Sequence, residues 1–286
     1  MPGSTADFLD ILPGEPGFAY ANFPVFYQGS AGKGRPLELG GLVAINVSAT
    51  IVGDISLPLY QSPWELLGGK YATGIAIPYL SMDVKGSVQL GPLSRNAHDT
   101  ASGISDVEFF PLMLVWNAGD LKWGTNFGIY APTGGFTTGK LANTGKNYWT
   151  FEPGLNARYL GSTNGLELTG FAGFDVNTKN NATSYQSGSQ FHLDVTAAQH
   201  LPLFGGLAGV GANLFYYQQI SGDSGSGAQL GSFAGMTVGI GPVLSFVYKL
   251  GALNLGAEAK WLPELDTTNR MKGNIAWLKL YINAPF

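Results

Sequence analysis

Along Trp277–Phe286 (W-L-K-L-Y-I-N-A-P-F) two kinds of side chain take turns. Ala276, Leu278, Leu280, Ile282 and Ala284 fall on one side of an extended chain; Trp277, Lys279, Tyr281 and Asn283 fall on the other, because successive side chains of a strand point to opposite faces. One face is aliphatic enough for lipid and the other suits a wet or mixed interior. The same dyad recurs upstream. Leu166, Leu168, Ala172, Phe174 and Val176 oppose Glu167, Thr169, Asp175 and Asn177; Leu193, Val195 and Ala197 oppose His192, Asp194, Thr196 and His200. Val210, Ala212 and Leu214 oppose Asn213 and Tyr217; Leu253, Leu255, Ala257 and Trp261 oppose Glu258 and Lys260. Every charge in these stretches is on the non-aliphatic side. A charge on a lipid face near mid-membrane costs about 2–4 kcal/mol, so a membrane wall requires this sorting.

Mean hydropathy is slightly positive at +0.10, yet we find no run of about 18 apolar residues that could form a spanning helix. The apolar residues are hidden in alternation instead, which is the mark of a membrane barrel. Gly is 42 of 286 residues, charged residues are 12% and aromatics 13%. Both the glycine excess and the scarcity of charge fit closely packed strands bathed in lipid. There is no Cys, hence neither a disulfide framework nor a Cys-based metal site. A net charge of −4 with few Lys and Arg argues against a nucleic-acid partner. No basic segment followed by an apolar one opens the chain. An exported protein needs one, so the expectation is a mature form without its leader.

Strand patterns fall near 18–29, 37–59, 69–90, 104–117, 120–132, 147–160, 165–178, 189–201, 206–219, 232–249, 252–262 and 273–285. Between them, long polar segments (91–103, 133–146, 179–188, 220–231, 263–272) alternate with short links (118–119, 161–164, 202–205, 251). A link at 60–68 is longer and apolar. Long loops at one end and short turns at the other are the rhythm of an outer-membrane barrel; a β-sandwich has no reason to alternate. The expectation is therefore an all-β, transmembrane, antiparallel up-and-down barrel of about twelve strands spanning 18–286, with both termini on the short-turn, periplasmic side. The terminal aromatic Phe286 resembles the insertion signal of bacterial outer-membrane barrels. Tyr71, Trp116, Trp123, Tyr130, Trp149, Tyr159 and Tyr248 suit interfacial girdles.

Expected inner-wall charges are Glu38, Asp106, Glu108, Lys122, Glu152, Arg158, Glu167, Asp175, Asp194, Glu258, Lys260 and Lys279. They can brace the barrel as ion pairs or set a selective field in a pore. Two strands are apolar on both faces for part of their length. There Ile75, Ile77 and Tyr79, with Tyr71, and then Phe110 and Leu112, with Leu114 and Trp116, are expected to point inward and make a greasy section. Residues 1–17 carry apolar side chains only at Phe8, Leu9, Ile11 and Leu12, and form an expected plug seated in that section. Pro24, Pro58, Pro78, Pro111, Pro153 and Pro242 lie within strand patterns. A closed wall has no edge to hold a residue without an N–H, so each marks a bulge or gap, and one gap is a candidate lateral exit.

Catalytic signals are few. His192 and Asp194 share a face and resemble part of a dyad, with no Ser or second carboxylate identifiable by spacing. The run Asp223–Gly227 (D-S-G-S-G) lacks a full Ca²⁺ ligand ladder and reads as a mobile loop.

The run L-A-N-T-G-K-N-Y-W-T-F-E-P-G at 141–154, preceded by A-P-T-G at 131–134, resembles the phenol meta-pathway degradation-like family of Gram-negative outer-membrane channels. F-H-L-D at 191–194, Y-Y-Q-Q at 216–219, I-G-P at 240–242 and W-L-K-L at 277–280 fit the same family. The resemblance implies a twelve-stranded barrel with its N-terminal segment in the lumen, uptake of small hydrophobic molecules in biodegrading bacteria, and neither catalysis nor a cofactor. In this light Asn147, Tyr148, Glu152, Arg158, Tyr217 and Gln219 are candidates to line or brace the passage. The expected function is passive passage of hydrophobic or aromatic molecules by a monomer in contact with lipid and lipopolysaccharide, with no metal or cofactor. A general hydrophilic porin and a hydrolase using His192 and Asp194 remain open alternatives.

Overall fold

The computed structural model describes residues 3–6, 15–32, 34–91 and 93–286. Fourteen strands form one antiparallel sheet: β1 (Gly17–Ala31), β2 (Leu37–Leu39), β3 (Leu42–Leu66), β4 (Gly69–Leu90), β5 (Leu93–Ile104), β6 (Val107–Ala118), β7 (Leu121–Ala131), β8 (Thr150–Leu160), β9 (Leu166–Asn177), β10 (Gln190–Leu203), β11 (Gly206–Gln219), β12 (Met236–Leu250), β13 (Leu253–Thr268) and β14 (Lys272–Pro285). Twelve of them close a ring, β1-β3-β4-β6 and on to β14, which pairs back onto β1; β2 and β5 are additions on β3 and β4.

The expected strands are all present, with three differences. The strand expected over 37–59 is the β2–β3 hairpin. Its second arm runs on to Leu66 and turns at Leu67–Gly68, both at positive φ. The polar segment 91–103 is largely strand, because β5 pairs with β4 from Leu90↔Leu93 to Tyr79↔Ile104. Alternating polar residues such as Ser94, Asn96, His98 and Thr100 are exposed. That exposure makes an extended ribbon as polar as a loop. Finally, β13 continues to Thr268 instead of ending near 262. Since about 9–11 tilted residues cross a membrane, the 25 residues of β3 and 22 of β4 extend well beyond the wall.

Proline interrupts the ladders as expected, mostly on one side of its strand. Partners are missing between β1 and β14 at Phe23–Pro24, between β3 and β4 at Leu57–Pro58, and between β8 and β9 at Glu152–Pro153. The β12–β13 ladder lacks partners from Ile240 to Pro242. Pro111 sits in a bulge against both neighbours of β6. At Pro78 the partner of β4 changes from β6 to β5.

Burial alternates along β9, β10, β13 and β14 as the dyad requires: Glu167, Asp175, Asp194, His200, Glu258, Lys260 and Lys279 are buried inside, whereas Leu168, Phe174, Val195, Leu278 and Ile282 are exposed outside. At the short-turn edge the Phe286 N–H donates to Pro16 O at 3.0 Å, and its ring lies 5.5 Å from that of Phe18, closing the wall where β14 ends and β1 begins. Trp116 and Trp123 stack at 6.4 Å on the outer face there. Tyr130, expected in a girdle, faces inward and donates to Glu152 at 3.2 Å.

Candidate functional site

The inner wall carries both apolar and charged clusters. Val25, Tyr27, Phe215, Leu262, Ile275 and Trp277 pack into one buried apolar cluster flanked by Phe23, Ile51 and Ile55. These come from β1, β3, β11, β13 and β14, which closure of the ring brings around one lumen. Nearer the short turns, Ala19, Leu59, Ala72 and Val115 form a second cluster with Leu57, Met113 and Tyr281.

These clusters correct the expected greasy section. The register Asp54↔Tyr79 and Ser56↔Ile77 puts Ile77 and Tyr79 on the outer face, where they are exposed, and Ile75 shares that face opposite exposed Phe109. The inward residues of β4 are the small Ala72, Gly74 and Ala76. Where both faces are apolar, alternation carries no phase, and the phase was set to the wrong side. In β6, Glu108 and Phe110 do face inward, opposite Ala76 and Gly74. The bulge at Pro111 then flips the parity, so Leu112 pairs with Phe127 on the outer side and Met113 and Val115 take the inner positions.

Charged groups face inward on β8, β9 and β10, and again on β13 and β14 beside the apolar cluster. Glu152, Asp175 and His192 face one another, with His192 Nε2 3.4 Å from Glu152 Oε2 and 3.9 Å from Asp175 Oδ1. Lower down, His200 Nε2 lies 2.5 Å from Glu167 Oε2, and Thr169 donates to Glu167 Oε1 at 2.6 Å; all three are buried. Asp194 does not meet His192 as a dyad would. It accepts the N–H of Gly3 at 3.2 Å and the N–H and hydroxyl of Thr5 at 3.1 and 2.5 Å. Lys260 Nζ donates to the carbonyls of Gly3 and Thr5 at 3.2 and 3.0 Å and lies 3.5 Å from Glu258. Lys279 is 5.3 Å above the Phe23 ring. Arg158 is buried on the same inner face. Phe8, Leu9, Ile11 and Leu12 lie outside the described residues.

At the long-loop end a cavity of about 330 Å³ is lined both by Tyr27, Ile51, Phe233, Met271 and Ile275 and by Gln219, Asp223, Glu264 and Arg270. The expected Tyr217 and Gln219 are here, and the Arg270 guanidinium stacks 4.2 Å over the Tyr217 ring. The loops above are pinned. Asp106 accepts the N–H groups of Gly134 and Lys146 at 3.0 and 2.7 Å. Asp223, expected in a mobile stretch, accepts Gly188 N–H at 3.1 Å and Gln219 Nε2 at 2.5 Å. Glu38 accepts the Gln229 N–H at 3.0 Å, and burial lifts its carboxyl above the usual carboxylate range. No periodicity announces these loop contacts; only the closed ring places residues 191 positions apart side by side.

A family model described as "Putative MetA-pathway of phenol degradation" matches residues 33–280. The chain belongs to that family. A COG4313 outer membrane channel from Pseudomonas putida F1 has a similar structure, with TM-score 0.66 over 99% of each chain at 12% identity. The β domain of the Bordetella autotransporter BrkA is similar at TM-score 0.52 and 15% identity, over 95% of this chain and all of that one. No curated protein sequence matches. The family member described here has the fold of an outer-membrane β-barrel channel, with large apolar side chains on its outer face.

Proposed function

We propose that this barrel carries small hydrophobic or aromatic molecules passively across the outer membrane. The observation that carries the reading is the inward cluster of Val25, Phe215, Leu262, Ile275 and Trp277, flanked by Phe23, Ile51 and Ile55. Lys260, opposite Trp277, and Lys279, over the Phe23 ring, border this cluster, and Lys260 is engaged by the carbonyls of Gly3 and Thr5. A passing apolar solute gains about 25 cal/mol for each Å² removed from water there, and contacts made by neutral side chains stay weak enough for release. The amphipathic cavity at the mouth supplies an entry chamber.

The N-terminal segment acts as a partial plug, anchored through residues 3–5. Support comes from the bonds of Gly3 and Thr5 to Asp194 and Lys260 on the inner wall. A periplasmic side for both ends of the barrel is supported by the meeting of Phe286 with Pro16, at the start of β1, on the short-turn edge. The twelve-strand ring closes on itself, and only the added β2 and β5 keep an edge, which fits a monomer, and the outer face contacts lipid and lipopolysaccharide. A lateral exit fits best beside Pro24, where the β1–β14 ladder is interrupted and the outer wall carries the Asn22–Asp54 hydrogen bond of 2.7 Å. The hydrolase reading loses its dyad, since His192 is set against Glu152 and Asp175 while Asp194 bonds Gly3 and Thr5.

Proteoliposome assays test this reading. Uptake of an apolar aromatic dye above that of protein-free vesicles, with slow swelling in sugars, is the expected result. Fast sugar entry without dye uptake would make the protein a hydrophilic porin instead. Deleting residues 2–16 should raise ion conductance; unchanged conductance removes the plug. A Pro24→Cys, Leu278→Cys disulfide should slow dye uptake reversibly, and no effect removes this exit. Esterase activity lost in His192→Ala would restore the hydrolase.

A further inference from the structure

Three side chains on neighbouring strands converge on the inner wall near the long-loop end without serving the apolar passage. Glu152, Asp175 and His192 each sit near the loop-side end of β8, β9 and β10. One ligand atom from each lies within 4.8 Å of the other two. His192 Nε2 is 3.4 Å from Glu152 Oε2 and 3.9 Å from Asp175 Oδ1. Ligands bound tetrahedrally at about 2.0–2.1 Å stand roughly 3.3 Å apart, so small side-chain adjustments would seat an ion between them.

We propose that Glu152, Asp175 and His192 bind one first-row divalent cation of the Zn²⁺ class at the mouth of the barrel. A second observation points to a ligand. Asp175 is only 9% exposed, and its Oδ1, on the side of His192, has no hydrogen-bond partner among the described residues. Leaving a buried carboxylate oxygen unmatched is costly, and a cation would match it.

The surroundings are those of a built site. Tyr130 donates to Glu152 Oε2 at 3.2 Å, orienting the carboxylate from outside the triad. Phe171 stacks on the His192 ring at 5.5 Å and 29°, holding the imidazole in place. Gly173 lies beneath it, where a Cβ would come within 2.4 Å of Nε2. One imidazole with two carboxylates suits Zn²⁺ and its neighbours, whereas Ca²⁺ and Mg²⁺ prefer oxygen alone. The site stands apart from the transport reading and does not depend on which solute passes.

The test uses the full chain in detergent, stripped with chelator and titrated with ZnCl₂ in excess Mg²⁺. About one Zn²⁺ per chain is expected by calorimetry and elemental analysis. His192→Ala and Asp175→Asn should each weaken binding more than about tenfold, while His98→Ala, on the outer face, leaves it unchanged. Heat-modifiable gel mobility reports whether each variant still forms the barrel. Should a variant fail to fold, anomalous diffraction from wild-type crystals soaked in Zn²⁺ decides the matter alone, with a peak expected between His192 Nε2 and the two carboxylates. Absence of Zn²⁺ binding by the wild type, undiminished binding in both folded variants, or anomalous density only elsewhere would overturn the proposal and leave the triad a buried ion-pair cluster.

Discussion

Asp194 Oδ2 accepts both the N–H and the hydroxyl of Thr5, at 3.1 and 2.5 Å, across 189 positions of sequence. A strand residue in mid-wall thus anchors a segment that belongs to no strand, and Lys260 holds the carbonyls of the same segment from β13. Two opposite charges grip one short stretch of backbone by its donors and its acceptors.

Asp194→Ala should free this stretch. Hydrogen bonds to a charged group contribute about 1.5–3 kcal/mol each, so docking should weaken by at least about tenfold. Because the chain has no Cys, a nitroxide on Ser4→Cys reports docking directly. A restricted spectrum in the parent and a mobile one in the Asp194→Ala background are expected; identical spectra would show that Asp194 does not hold the segment.

The apolar cluster should control what passes. Phe215→Asn or Ile275→Asn should cost an apolar solute about 1 kcal/mol of transfer, roughly fivefold in partitioning. Dye uptake into proteoliposomes should fall accordingly while sugar swelling rises. Equal dye uptake in parent and variants would place the route elsewhere.

The buried pair His200–Glu167 braces the wall. Removing one member of a buried ionic or hydrogen-bonded pair costs about 3–5 kcal/mol, whereas replacing both by apolar residues is often close to neutral. Glu167→Ala should therefore lower the urea midpoint of unfolding markedly, and the Glu167→Leu, His200→Leu double variant should recover most of it. A single variant as stable as the parent would show that the pair adds nothing.

Asp223 ties the loop after β11 to the loop before β10 through Gly188 N–H and Gln219. In Asp223→Ala, loss of about 1.5–3 kcal/mol of charge-assisted bonding should speed hydrogen exchange at Gly188 by at least about tenfold. Exchange in β11 should not change. Unaltered exchange at Gly188 would mean that other contacts keep the mouth in shape.

Much of this protein is determined by sequence alone. Alternation in β9, β10, β13 and β14 is clean because each strand sorts charges from aliphatic side chains, and it assigned Glu167, Asp194, Lys260 and Lys279 to the interior where they are found buried. The spacing of long and short connections likewise predicts a closed ring of twelve strands. Only the tertiary structure decided the rest. A period of two fixes which residues share a face but not which face points inward when both are apolar, so Ile77 and Tyr79 fell on the outside. Nor does it survive the extra residue of a bulge, which turned Leu112 outward after Pro111. Groupings across many strands, such as the cluster that gathers Val25 of β1 with Phe215 of β11 and Trp277 of β14, exist because closure curves the sheet until its inner faces converge.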